Sequence, residues 1–363
     1  MKKPFPAISY SEYLKVNELT SLQKLRSHEF NFTAHDEMLF IITHQTYELW
    51  FKQIITELDS VLEIFHEKII DEEKMNTVVL RLKRITEIQK LLIQQVTVLE
   101  TMTPLDFLDF RDLLYPASGF QSLQNRMIEN KLGLPRSQRV QFNSMPYNTF
   151  IDESDQARLQ ETEQSPSLFE LVDAWLSRTP FLQAANFDFW DLYRQSVELL
   201  FAEDRATVEN HPNLEPSAKE RSLSEIDASE KTFQSLFDQN RYEEIRKEGV
   251  FRFSYRSIHA ALLIHLYRDQ PVLSLPFQVL STLQDIDELM TTWRYRHSLM
   301  AHRMLGRKIG TGGSAGAAYL KKATDQHRIF GDLFNLATFL IPRSRLPRLP
   351  DSIKKTLGFF YSN

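Results

Sequence analysis

Apolar residues recur along this chain at intervals of three and four rather than two. From Phe40 they fall at Tyr47, Phe51, Ile54, Leu58, Val61 and Phe65, which share one face of a helix with 3.6 residues per turn. A second long amphipathic stretch runs from about Glu72 to Thr101, through Met75, Val79, Leu82, Ile85, Ile88, Leu92 and Val96. The same spacing predicts shorter helices around Leu105–Tyr115 and Gly119–Leu132, a long one from about Phe277 to Leu305, and another from about Ala315 to Leu340. No alternating strand pattern or series of close hairpin turns competes with these, so the pattern predicts an all-α fold.

The middle of the chain, about 135 to 247, is more polar. Within it, 152–164 (DESDQARLQETEQ) reads as a solvated loop or exposed helix, and 203–247 as an exposed helical hairpin. The prolines of Ile341–Pro350 predict an extended surface strap instead of a helix. There is no internal repeat. The two lysines at the start are not followed by an apolar leader, and the longest uncharged run, Gln270–Gln284, is broken by Pro271 and Pro276. Neither a signal peptide nor a membrane span is expected, which points to a cytoplasmic protein.

Composition narrows the chemistry. With 43 Lys and Arg against 48 Asp and Glu, the net charge of −5 gives no basic field for nucleic acid or an anionic membrane. The 363 residues include no cysteine. That excludes disulfides, iron–sulfur clusters, thiolate ligation of a metal, covalent haem attachment and a cysteine nucleophile. Glycine is scarce, at 10 residues, yet Gly306, Gly310, Gly312, Gly313 and Gly316 fall in one stretch.

Four features stand out as candidate chemistry. His44 shares a helix face with Phe40, Tyr47, Glu48 and Phe51; it reads as a core histidine or as part of a pocket for a flat apolar ligand. Arg111, in LDFLDFRDLL, adjoins the face of Phe107, Phe110 and Leu114; it either snorkels to solvent or clamps a carboxylate through its planar fork. His297 shares a face with Met290, Trp293, Met300 and Met304, a stripe that suits a plain core or the proximal wall of a haem. His259 and His265 compete with it as ligands, His302 lies on another face, and no HExxH motif exists. The segment GRKIGTGGSAGAAYL (306–320) is neither a Walker loop nor a dinucleotide fingerprint. It is a long connector or a flap that closes on a ligand, with the hydroxyls of Thr311 and Ser314 available to it.

Longer stretches carry a resemblance. HDEMLFIITHQTYELWFKQI (35–54), FRDLLYPASGFQSLQNR (110–126), the segment from Tyr267 to Gly316 and DLFNLATFLIP (332–342) together resemble, in order, the tryptophan 2,3-dioxygenase family of haem enzymes. The likeness is strong over about 10–133 and 250–342 and weak over 134–249. It implies an all-α haem-binding domain over 31–342 with a divergent insertion at 135–247, an N-terminal arm at 1–30 and a tail at 343–363. It also implies a haem dioxygenase that inserts O2 across the indole C2–C3 bond of L-tryptophan to give N-formylkynurenine, the first step of the kynurenine pathway.

By the same resemblance, His297 is the axial ligand of a non-covalent haem b, with Trp293 and Ser118 beside the cofactor. His44 accepts a hydrogen bond from the indole N–H, Arg111 holds the substrate carboxylate, and Thr311 holds the substrate ammonium or carboxylate. Phe40, Ile41, Ile42, Thr43 and Phe107 line the indole pocket, and Tyr10, Tyr13 and Leu14 complete it from a neighbouring subunit of a homotetramer. Arg296, where a small polar residue is expected, and Ala315, where serine is common, depart from the family pattern. A haem mono-oxygenase of the same fold and a haem-free helical interaction protein are the competing readings.

Overall fold

The computed structural model describes residues 5–140, 151–179, 183–184, 187–306, 308 and 316–357. Its helices are α1 (Tyr10–Leu14), α2 (Val16–Leu19), α3 (Arg26–Glu29), α4 (His35–Phe65), α5 (Glu72–Leu99), α6 (Pro104–Arg111), α7 (Leu123–Leu132), α8 (Glu153–Gln164), α9 (Leu168–Leu176), α10 (Phe189–Glu209), α11 (Pro216–Phe237), α12 (Gln239–Lys247), α13 (Tyr255–Leu266), α14 (Pro271–Leu305), α15 (Gly316–Gln326), α16 (Gly331–Asn335) and α17 (Asp351–Leu357). Strand structure among the described residues is confined to an antiparallel pair, Gln183–Ala184 with Phe187–Asp188. The fold is all-α, as the periodicity predicts.

Three long helices form the frame: α5 packs along both α4 and α14. The predicted stripe becomes the core, where Leu58, Val61, Val78, Leu82, Leu283 and Ile286 are almost wholly buried. Each such side chain contributes about 1.5–3 kcal/mol on leaving water, and that burial fixes the three axes against one another. Helix ends are set locally. Asp71 caps α5 by accepting from the Lys74 amide at 2.8 Å, and Thr103 with Asp106 forms a reciprocal capping box on α6. At the start of α4, Glu37 accepts from the amides of Arg26 (2.7 Å) and Ser27 (3.1 Å), so a buried carboxylate ties α3 to α4.

Several boundaries differ from the sequence reading. Helix α14 begins six residues before Phe277, because Pro271 sits in its first turn, where a missing N–H costs nothing, and Pro276 interrupts the ladder only once. The helix expected over Ala315–Leu340 is broken after Gln326 and resumes at Gly331, ending in a 3₁₀ turn at Leu336–Phe339. The cause is long-range: the buried carboxylate of Asp287 accepts from the amides of Ile329 (3.0 Å) and Phe330 (3.3 Å), capturing donors that a continuous helix would use. Segment 152–164 is helix α8. The hairpin expected at 203–247 is helical, but Phe233, Leu236 and Tyr242 are buried, so it is an integral layer and not a solvated excursion. The strap 341–350 is extended apart from one 3₁₀ turn at Arg343–Arg345. No helix among the described residues is long and apolar enough to cross a membrane.

Candidate active site

Two cavities differ sharply in character. A polar one of about 550 Å³ lies beside α8, between Arg136, Arg139 and Arg252, and neither His44 nor His297 reaches it. A mainly apolar one of about 290 Å³ is enclosed by α4, α7, α14, α15 and the end of α5, and both histidines line it. The chemistry follows the second.

His44 fronts this cavity from α4. It keeps accessible surface because the space before it is open, yet it is set deep enough for burial to lower its pKa; the hydrogen bond to Phe40 and the charge of Glu48 oppose that shift. Its Nδ1 lies 2.7 Å from the carbonyl oxygen of Phe40. A carbonyl can only accept, so the proton of the neutral ring sits on Nδ1 and Nε2 keeps its lone pair. The ring packs on Phe40 at 4.0 Å between centroids, and Phe40 in turn stacks on Phe107 at 5.9 Å.

His297 fronts the cavity from α14, one helical turn after Trp293, whose ring lies 5.7 Å away. Burial, helped by His44 nearby, brings its pKa down to about 4. The imidazole is therefore neutral near pH 7, which is the form that ligates metal. The competing histidines are otherwise engaged. His259 stacks on Trp190 at 3.5 Å and bonds to the Leu236 carbonyl oxygen at 3.2 Å, His265 bonds to the Ala261 carbonyl oxygen at 2.8 Å, and His302 faces solvent.

Six of the predicted site residues are thus brought together: Phe40, His44, Phe107, Ser118, Trp293 and His297. Arg111 lies one turn beyond Phe107 on the same face of α6, half-buried, with its guanidinium 3.7 Å from Asp112. Ile41, Ile42 and Thr43 do not line the cavity: a helix turns about 100° per residue, so they cannot share the face of Phe40 and His44. Ile42 is exposed, while Thr43 is buried against α5, its carbonyl accepting from Gln95 at 2.9 Å. Tyr10, Tyr13 and Leu14 stand exposed on an arm whose helices α1 and α2 bury nothing. Thr311, Ser314 and Ala315, with the loop glycines Gly310, Gly312 and Gly313, lie outside the described residues. Arg296 donates to Glu100 at 3.0 Å, pairing the end of α5 with the turn that carries His297.

Sequence reasoning missed a buried polar wall of the same cavity. Glu129 accepts from Arg126 (3.0 Å), Arg139 (2.8 Å) and Arg294 (3.0 Å), with Nδ1 of His327 at 3.6 Å. Burial pushes this carboxyl's pKa up, but the charges of Arg126 and Arg139, the adjacent His327 ring and the Arg294 charge outweigh that and hold it well below the usual carboxylate range. The only cue was an Arg–Glu pair at i,i+3, which on most helices is a surface pair.

The donor set bears on what could bind. Among the described residues no three His, Asp or Glu side chains converge to hold a metal ion. One neutral imidazole in a wall of Met300, Met304, Leu99 and Ala323 suits a prosthetic group that brings its own equatorial donors, and not a bare ion. The fit to haem is good on that ground.

Known proteins give the same direction. The family model described as tryptophan 2,3-dioxygenase matches residues 3–340, and so runs through the stretch 134–249 that looked weakest. The chain is 53% identical to the tryptophan 2,3-dioxygenase of Bdellovibrio bacteriovorus over 98% of its own length and 99% of that protein. It is 46% identical to the Dictyostelium discoideum enzyme of that name, over 98% of this chain and 89% of the other, and 47% identical to that of Xenopus tropicalis, over 96% and 86%. Identity of this order over nearly the whole length, on an all-α frame that gathers two neutral histidines around an apolar cavity, leads to one conclusion: the chain belongs to the tryptophan 2,3-dioxygenase family.

Proposed function

We propose that this protein is a haem-dependent dioxygenase that adds both atoms of O2 across the C2–C3 bond of L-tryptophan, giving N-formylkynurenine. The observation that carries the reading is the pair of neutral imidazoles on one apolar cavity, with His297 in an apolar frame as the ligand and His44 with Nε2 free to accept. His297 would hold a non-covalent haem b, with Trp293 and Ser118 beside it. The haem, when bound, supplies the redox-active iron that lets O2 react with a closed-shell ring.

The chain's own residues then orient and exclude. Nε2 of His44 accepts the indole N–H and fixes the ring's rotation; it need not remove the proton, since indole N–H is a very weak acid. Phe40 and Phe107, stacked on each other, form an apolar wall for the ring and keep water from the reacting carbons. The planar fork of Arg111 matches a carboxylate in two bonds, fixing the other end of the substrate. Thr311 would bind the ammonium or carboxylate group. Holding ring and carboxylate at once turns an encounter into a positioned reaction.

The exposed apolar side chains of the arm, with Phe5 at 92%, Tyr10 at 77% and Tyr13 at 72%, support a homotetramer in which Tyr10, Tyr13 and Leu14 complete a neighbour's pocket. The purified protein should be coloured and, supplied with L-tryptophan and isotopically labelled O2, should yield a product carrying two labelled atoms. One labelled atom would select mono-oxygenation instead, and a colourless protein with no product would leave a helical scaffold.

A further inference from the structure

One wall of the cavity that His44 lines is built from a segment whose side chains are at most partly buried, Leu113 and Leu114 resting on the small cluster around Phe110. From Arg111 to Ser122 no residue is buried, whereas Phe110 before it and Leu123 after it are. Yet Ser118, Gly119, Phe120 and Ser122 all line the cavity. The bonds inside the segment are local: Ser118 and Gln121 cap one 3₁₀ turn reciprocally, with the Ser118 amide donating to Gln121 Oε1 at 3.0 Å. One carboxylate of α4 ties its far end to that helix. Glu48 Oε1 accepts from Ser122 Oγ at 2.6 Å, and Oε2 accepts from Gln124 Nε2 at 2.8 Å; the same amide nitrogen also reaches the Glu48 carbonyl oxygen at 2.8 Å. Ser122 is itself the N-cap of α7, accepting from the Asn125 amide at 3.3 Å.

Glu48 stands one turn after His44 on α4, so the two share a face. We propose that Glu48 is a positioning residue: by gripping Ser122 and Gln124 with its two oxygens, it sets the distance between the wall segment and the imidazole that receives the indole N–H, and so governs substrate affinity. Both oxygens of a carboxylate accept, so one side chain can hold a hydroxyl and an amide at once. A wall whose side chains are only partly buried is held less firmly than the core, so cutting the tether loosens its far end without unmaking the core.

This rests on the dioxygenase reading, and the test separates the two. Glu48→Ala, Ser122→Ala and the pair are assayed as haem-loaded protein with L-tryptophan. Glu48→Ala should raise KM roughly tenfold, as loss of charged hydrogen bonds implies, with kcat changed less than about threefold and the haem absorbance intact. Ser122→Ala should raise KM less, and the pair should cost no more than Glu48→Ala alone, because both changes cut the same tether. Glu48→Gln, which can still accept from the Ser122 hydroxyl, should recover most of the affinity. Amide exchange over 115–122 should quicken in Glu48→Ala and stay slow in Glu48→Gln.

Additive effects in the double variant, an unchanged KM in Glu48→Ala, or a Glu48→Gln variant as impaired as Glu48→Ala would each overturn the tether, the last by assigning the effect to charge. If Glu48→Ala fails to fold, the cycle of Ser122→Ala with Gln124→Ala decides by the same criterion, KM rising with kcat nearly kept. Absence of product from the parent protein would instead overturn the dioxygenase reading itself.

Discussion

Glu129 carries the most exacting electrostatic prediction. Its carboxylate is 2% exposed and neutralises part of three guanidiniums at 2.8–3.0 Å. Glu129→Gln keeps shape and volume but leaves Arg126, Arg139 and Arg294 facing a neutral amide whose NH2 group is itself a donor. Breaking a buried ion pair from one side costs about 3–5 kcal/mol, because the remaining charge stays desolvated. For a chain of this size that lowers the Tm by about 4–7 °C.

The pH dependence gives the prediction its sign. The folded carboxyl titrates well below its ordinary value of 4.5, so the native state releases this proton more readily than the unfolded chain does. Its stabilisation is fully present above about pH 4.5 and is lost as pH falls toward the folded value. Urea midpoints followed by circular dichroism at a series of pH values should show a wide gap between parent and variant at pH 7, narrowing below about pH 4.5. A gap under about 1 kcal/mol at neutral pH, or one that stays constant into acid, would refute the claim that an ionised Glu129 organises this wall.

Four further outcomes are expected. His297→Ala should yield folded protein without a Soret band, and normal haem content would move ligation elsewhere. Arg111→Ala should raise KM for L-tryptophan by an amount equivalent to about 2–5 kcal/mol, and an unchanged KM would sink the clamp. His44→Ala should retain haem and lose most of its kcat/KM; because burial lowers the His44 pKa, kcat/KM of the parent should hold as pH falls through 6.5, and a decline centred at or above 6.5 would contradict a neutral acceptor. Removing residues 1–24 should lower both activity and the oligomeric mass seen by sedimentation, and an active variant of unchanged mass would exclude the arm from the site.

The long helices were legible because each repeats its apolar stripe over many turns, and the sum of weak preferences becomes decisive. The break at 327–330 was not, since Ile329, Phe330, Leu333 and Leu336 continue a helical spacing while the interruption comes from Asp287, some forty positions away. Local pattern cannot report a carboxylate delivered by another helix. The site divided in the same way. His44, Arg111 and His297 stood out as polar residues on apolar faces, and the resemblance gave them roles, but spacing alone could not rank His297 above His259 and His265. The ring stacks and carbonyl bonds of those two residues do so. Arg126, Glu129 and Arg294 look like solvated charges in sequence, and only tertiary packing turns them inward.

The two cavity histidines show how one physical cause serves opposite roles. Burial lowers both, so both are neutral at physiological pH. What separates them is the rest of their surroundings. His44 has its Nδ1 committed to the Phe40 carbonyl, a bond within its own helix; the remaining nitrogen therefore presents a fixed acceptor whose direction is set by α4. His297 has an apolar frame of methionine side chains and Trp293, with no carboxylate near enough to register on its pKa, so nothing favours its protonated form over ligation. An acceptor in an apolar space is costly until a donor fills it, by about 1–3 kcal/mol. The arrangement thus favours an occupant with an N–H on one side and a group seeking a lone pair on the other. Neither histidine alone defines that requirement; it arises because α4 and α14, both packed on their common neighbour α5 by the apolar stripe, bring the two rings to one cavity.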